Sequence, residues 1–335
     1  VTLAMMAQME DNFEKALGYY EQYMTIAPPE SNNYQGAKRG AANCEFAMWA
    51  MDHPVPFEPQ NLGPGVNSEN DEYFPAMTAD QELLIYTREF DAPNNPMSPD
   101  GKDEDFFFSE RQEDGSWGRA YNPGRPINSS WREGAPTISP DGKYIIFTIC
   151  DLYGQYGQDK EGFGSCDLFV SVRNGNSWSR PINMGQTINS KHWESQPSFA
   201  SDGKTLYFVR GRYNKEHDRF DDIYFSELIN GKWAKAQALP PNINSTEDEE
   251  SVFIHPDNKT LYFSSRGHVG LGNMDIFMSR KNDDGTWSDP VNLGYPINTP
   301  EHENSFFVSA DGEYAIIASN REGGYGKLDL YSFEL

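Results

Sequence analysis

Ser201-Asp202-Gly203-Lys204-Thr205-Leu206-Tyr207-Phe208-Val209 decides the fold. Asp-Gly supplies a tight reversal in which the glycine takes a positive φ, and the β-branched and aromatic residues after it favour an extended chain. The segment therefore reads as the turn and second strand of an antiparallel hairpin. The turn recurs at Ser139-Pro140-Asp141-Gly142 and Ala310-Asp311-Gly312, and the strand recurs at Tyr144 to Thr148 and Thr260 to Ser264.

Around these hairpins the chain follows one script. Asn-Ser or Asn-Thr stands at Asn67, Asn128, Asn189, Asn244 and Asn298, at spacings of 61, 61, 55 and 54 residues. Five residues after each Asn comes a glutamate, at Glu72, Glu133, Glu194, Glu249 and Glu303. A third strand opens with an aspartate and an apolar neighbour, at Asp105, Asp167, Asp222, Asp275 and Asp329. A further hairpin signal leads to a tryptophan, at Trp117, Trp178, Trp233 and Trp287, expected in a fourth strand and at the contacts between units.

Four antiparallel strands repeated at this period predict propeller blades, each burying its faces against its neighbours. The fifth unit ends at Leu335 after its third strand, but Pro59-Gln60-Asn61-Leu62-Gly63 copies Pro290-Val291-Asn292-Leu293-Gly294. This orphan strand is expected to complete the last blade and close the ring. The expected fold is mainly β: a five-bladed β-propeller of four-stranded blades over residues 54–335, closed by an N-terminal strand. Residues 1–53 instead carry apolar positions at helical spacing. Ala16, Tyr20, Tyr23 and Pro28 match the second helix of a tetratricopeptide unit, and Tyr34 to Met51 reads as one further helix. Such a segment is either the end of a longer array or a cap on the propeller. Val1 lies inside the helical pattern, which reads as a fragment or a processed product.

Acidic residues number 51 against 27 Lys and Arg, a formal charge of -24. That balance repels phosphate backbones and anionic lipid, so no nucleic-acid partner is expected. No stretch approaches the length of a membrane-spanning helix, so direct membrane insertion is not expected. Of three cysteines, Cys150 ends one predicted strand and Cys166 precedes the next; the two can face each other in an oxidising compartment.

The repeated acids are the candidate binding groups. Glu72, Glu133, Glu194, Glu249 and Glu303 are expected to ring the channel mouth, with the five aspartates farther out and Arg88, Arg210, Arg266 and Arg321 as compensating cations. The plain alternative is that these groups recur because each blade junction recurs. No cofactor is required, although a ring of oxygen donors suits Ca²⁺, and an acidic face suits a basic partner segment. The loops from Arg88 to Lys102 and from Cys150 to Ser165 are candidate partner contacts. No Gly-x-Ser-x-Gly elbow is present, and the six histidines show no metal spacing. Asp283-Asp284-Gly285-Thr286-Trp287 is turn chemistry rather than a sialidase Asp-box. A sialidase-like glycosidase would need an arginine cluster and a Tyr/Glu pair in the channel.

The motifs Ser264-Ser265-Arg266-Gly267 with Gly272-Asn273-Met274-Asp275, and Ser319-Asn320-Arg321 with Gly323-Gly324-Tyr325-Gly326, carry a family resemblance. Together with the helical start, they resemble the WD40-like, TolB-type propeller segment of OmpA-family envelope lipoproteins of Bacteroidota, including PorE-type components of type IX secretion. The resemblance implies a non-enzymatic periplasmic scaffold at the outer membrane that joins other envelope or secretion proteins to the cell wall. Such proteins carry a lipidated cysteine and a peptidoglycan-binding OmpA-like domain, and neither lies in these 335 residues. The alternative functions are a glycan- or peptide-binding propeller module and, beyond that, a propeller glycosidase.

Overall fold

The computed structural model describes residues 1–335 except 152–155, 157–160, 176 and 214–218. Three helices come first: α1 (Thr2–Met9), α2 (Phe13–Met24) and α3 (Asn32–Asp52). Asn12 and Ser31 cap the second and third by accepting from the backbone N–H three residues on. The rest of the described chain is β-structure in repeated units. The first holds β2 (Asp71–Met77), β3 (Leu83–Asp91) and β4 (Lys102–Glu110) in antiparallel order, with Tyr121 bridging to Phe108 at the outer edge.

The following units start at Glu133, Trp193 and Glu249, and the second and third touch through one parallel pair, Trp193 with Cys166. The last unit joins both ends of the domain. Its edge strand β1 (Gln60–Asn61) pairs with Asp329–Glu334, so a segment before the first unit completes the last. Asn67 strengthens this joint by donating to the Leu330 carbonyl and accepting from the Leu330 N–H.

Among the described residues, apolar clusters sit where neighbouring units meet. Ile85, Phe106 and Phe147 join the first unit to the second; Leu168 and Phe208 join the second to the third. Val209 and Phe263 join the third to the fourth, Ile276 and Phe306 the fourth to the fifth, and Leu84 and Leu330 the fifth to the first. Two tryptophans reach back across these junctions as expected, Trp178 to Phe108 and Trp287 to Tyr207, while Trp233 meets Phe199 of its own unit and packs on the cluster between the second and third. Their position within the unit needs correction. Trp178 and Trp233 lie in short hairpin arms beyond the third strand, and the fourth strand proper is the Asn-bearing segment that follows, such as Ile182–Asn183 or Val291–Asn292.

Each unit carries one left-handed residue in its innermost strand, at Phe74, Ala135, Gln196 and Ser251, or just before it, at Ser305. In the first four units this residue sits in a shift of register, a β-bulge that bends the strand. The bulges and the residues after them line a central channel with apolar side chains, among them Pro75, Met77, Pro136, Phe253 and Phe307, leaving only about 100 Å³. The helices pack on the fourth unit. Leu271 is buried in the helical core, Arg39 pairs with Glu247 at 2.7 Å, and Asn43 accepts from the Gly270 N–H.

Candidate functional site

The repeated glutamates do not ring an open channel mouth. Glu72, Glu133, Glu194 and Glu249 are fully buried, and each closes its own loop by accepting from the hydroxyl and backbone N–H of the serine four residues earlier. Glu303 accepts from the Thr299 hydroxyl in the same way. The marker asparagines are clips to the preceding unit: Asn128 brackets Phe106, Asn189 brackets Leu168, Asn244 brackets Ile223, and Asn298 brackets Ile276, each through N–H and C=O together. What recurs along the sequence is the mortar of the junctions.

The candidate cations divide. Arg88 and Arg210 hold Glu72 and Glu194 at 2.6 and 2.7 Å and donate onward to the Val66 and Ile188 carbonyls. Their guanidinium groups lie over the Phe107 and Tyr224 rings, so both are part of the packing. Arg266 pairs with Asp248, and Arg321 sits between Phe57 and Tyr331 while donating to Ser319. Asp167, Asp275 and Asp329 each take two backbone N–H groups from the glycine-rich loop before them. Among the described residues no three His, Cys, Asp or Glu side chains converge as a metal site, so the Ca²⁺ expectation finds no ligand set.

A second row of cross-strand partners lies one position away from the repeated one, and it differs in every unit. In the second unit it is Cys150 opposite Cys166, which form a disulfide. The loop between them, expected as a partner contact, includes residues outside those described. In the third unit the row is Trp193, Gly211 and Asp221. In the first unit it is Asp71, Glu89 and Glu104, three carboxylates directly opposite one another on neighbouring strands. Like charges in that relation destabilise a sheet. A fold that keeps them holds an unfavourable arrangement for some other reason.

The surroundings set these carboxyls apart from each other. Asp71 accepts from the Leu328 N–H, which ties it to the fifth unit. Glu89 is partly exposed and lies 3.8 Å from the Lys102 ammonium. Glu104 is pushed up to about 7, first by burial and further by Glu89 and Asp103, against the opposing pull of Arg132 and a hydrogen bond with Tyr73. Tyr73, on the innermost strand, is itself raised by burial and then by Glu104 and Glu89, so its hydroxyl stays protonated and serves as the donor. Arg132 from the second unit is fixed by Asp100 and by the Lys102 carbonyl. Asp105 beside this row is also raised, to about 6, and its Oδ1 is buried without a partner because the first unit lacks the glycine-loop N–H groups that serve Asp167 and Asp275. Gly134 marks how closely the second unit approaches: a Cβ there would stand 3.0 Å from Glu104 Oε2.

Sequence reasoning missed this site because it followed what repeats. The available signal was the run Asp103-Glu104-Asp105, where the aligned positions of the other units carry Cys166, Asp221, Met274 and Leu328 in place of Glu104.

No family model matches the chain. Two uncharacterized proteins from strains of Staphylococcus epidermidis are 23% identical over 198 residues, 57% of this chain; the chain spans about half the length of these curated relatives. Among solved structures, a glycoside hydrolase aligns with a TM-score of 0.52 at 9% identity, over 86% of this chain and 94% of its own. This likeness shows a β-propeller fold. The GH43 endo-arabinanase of Bacillus licheniformis aligns at 0.49 and 11% identity over 81% and 96%, and TolB from Acinetobacter baumannii at 0.44 and 14% over 88% and 69%. The expectation of a non-enzymatic scaffold is corrected at this point. The chain shares its fold, over nearly the whole length of the matched protein, with a glycoside hydrolase, so the fold gives no ground for excluding an enzyme.

Proposed function

We propose that this chain is a five-bladed propeller, closed by β1, that binds a glycan at the Asp71, Glu89 and Glu104 row and has the acid–base groups for cleaving a glycosidic bond. The observation that carries the reading is the pairing of Glu89 with Glu104, two adjacent carboxyls in unlike surroundings, one of them pushed up to about 7. Cleavage of an acetal needs one carboxyl protonated near neutral pH, to protonate the departing oxygen, and a second that is ionised. In this assignment Glu104 is the general acid, Glu89 the second carboxyl, and Tyr73 the donor that orients Glu104. The glycoside hydrolases among the structural neighbours support the substrate class.

We also place the protein in the periplasm, associated with the outer membrane; the Cys150–Cys166 disulfide supports an oxidising compartment. The test is a panel of neutral oligosaccharides and aryl glycosides, assayed for binding and for release of the aryl group. A ligand whose turnover falls about a hundredfold or more in Glu104→Gln, with binding retained, is the expected result. Turnover that is indifferent to Glu104→Gln and Glu89→Gln, or no binding across the panel, overturns the assignment.

A further inference from the structure

The central channel keeps a volume of about 100 Å³ whose lining includes no charged side chain, in a chain of which 23% is Asp, Glu, Lys or Arg. The backbone explains part of this. Directly after the left-handed residues Phe74, Ala135 and Gln196 stand Pro75, Pro136 and Pro197, and the same place in the fourth and fifth units holds Val252 and Phe306. Proline has no N–H, so in three units the strand offers no backbone donor at that position.

The polar side chains of the wall are already engaged by the protein. Thr137 accepts from the Phe199 N–H, Gln196 from the Ser251 N–H, Ser198 from the Ile254 N–H and Ser251 from the Ser305 N–H. Each of these bonds runs from one unit to the next and stitches the innermost strands together. Ser305 donates to Asn304, and near the mouth Thr78 and Gln81 donate to Asp80 and Asp311 and Ser201 to the Pro256 carbonyl. The capacity left over belongs to uncharged hydroxyls and amides. The volume reaches the surface just beyond the end of the innermost strands, where Ala79 is exposed and Pro140 and Ala310 are half-buried. Asp71, in the glycan row, lies at the other end of that strand.

We infer that the channel binds a small, uncharged, apolar molecule no larger than about a benzene ring, which enters past Ala79, Pro140 and Ala310. Water needs two to four polar partners to settle in a cavity, and here those partners are spent on the neighbouring strands. An engineered apolar cavity of about 150 Å³ stays dry and takes up benzene or xenon, so a volume of this order suits a guest of that class. A charged guest would lose its hydration with nothing in the wall to replace it. The inference is independent of the glycan site.

The test uses the whole chain. Crystals are pressurised with xenon to locate the guest, and benzene, benzoate and benzylammonium are titrated in solution by NMR. The expected result is xenon in the channel and an affinity for benzene roughly tenfold or more above that for either charged analogue. Ala76→Leu, which fills the volume from its buried wall, should lower benzene affinity roughly tenfold. Ala79→Trp, at the exposed rim, should lower it roughly threefold, and Glu104→Gln should leave it unchanged. An Ala76→Leu chain that does not fold leaves the decision to Ala79→Trp. Ordered water in place of xenon, a charged analogue bound as well as benzene, affinity indifferent to the folded channel variants, or affinity lost in Glu104→Gln overturns the proposal.

Discussion

Two neighbouring rows of side chains run across the units and have opposite characters. The row of Glu72, Glu133, Glu194, Glu249 and Glu303 occurs in every unit and is used by the fold: the first four are fully buried, all five close onto serine or threonine, and two pair with arginine. The row one residue away occurs in five versions, and in the first unit it sets Asp71, Glu89 and Glu104 side by side. In a repeat protein each unit must solve the same junction problem, so recurrence marks the solution to packing. A residue free of that duty can differ from unit to unit, and unfavourable charge there points to chemistry.

The sharpest separation comes from breaking the repeated row. Glu194→Ala leaves the Arg210 guanidinium, only 13% exposed, without its carboxylate and should cost about 3 to 5 kcal/mol in a denaturant titration. Trp287→Ala removes a ring buried against Tyr207 and should cost a similar amount, about 3 to 5 kcal/mol. A cost below about 1 kcal/mol for Glu194→Ala would mean that the row is not structural. Next in size is the disulfide of the second unit. Cys150→Ser with Cys166→Ser opens a loop spanning 16 residues, for an expected loss of about 3 kcal/mol; an unchanged midpoint would show that the bridge adds no stability in solution.

The fold was legible where periodicity speaks. Turn chemistry at Asp141-Gly142 and Asp202-Gly203, the aromatic second strands, and the copy of Asn292-Leu293 at Asn61-Leu62 gave the unit and the pairing of the two chain ends. The tryptophans were assigned to the right junctions and the wrong strand, because the chain breaks between Trp178 and Ile182 at a place that no local propensity marks. The carboxylates failed for another reason. Which acid faces solvent and which closes a loop depends on the serine four residues before it, and Ser68, Ser129, Ser190 and Ser245 were read only as part of a marker. Glu104 becomes visible only once the register sets it opposite Glu89, a long-range fact that spacing along the chain does not contain.

The smallest effects are those of pH, and they bear on both rows. Burial raises Glu303 to about 8 and Glu104 to about 7, so the folded state binds protons that the unfolded chain has already released. For groups raised in this way the stabilising contribution is complete below the ordinary glutamate range near 4.5 and is lost as pH rises through the folded values. Wild-type melting temperature should therefore fall between about pH 4.5 and 8. Glu303→Gln, which cannot ionise, should flatten the upper part of that decline. Glu104→Gln should flatten the part below about 7 and leave the variant more stable than wild type at neutral pH, by about 1 kcal/mol after allowance for its partial exposure. A gain at Glu104 would separate it from Glu72 and Glu194, each paired with an arginine, while burial raises Glu303 of the repeated row as well. Loss of stability at pH 7 in Glu104→Gln would place Glu104 with the arginine-paired Glu72 and Glu194 and remove the ground for treating the first unit as different.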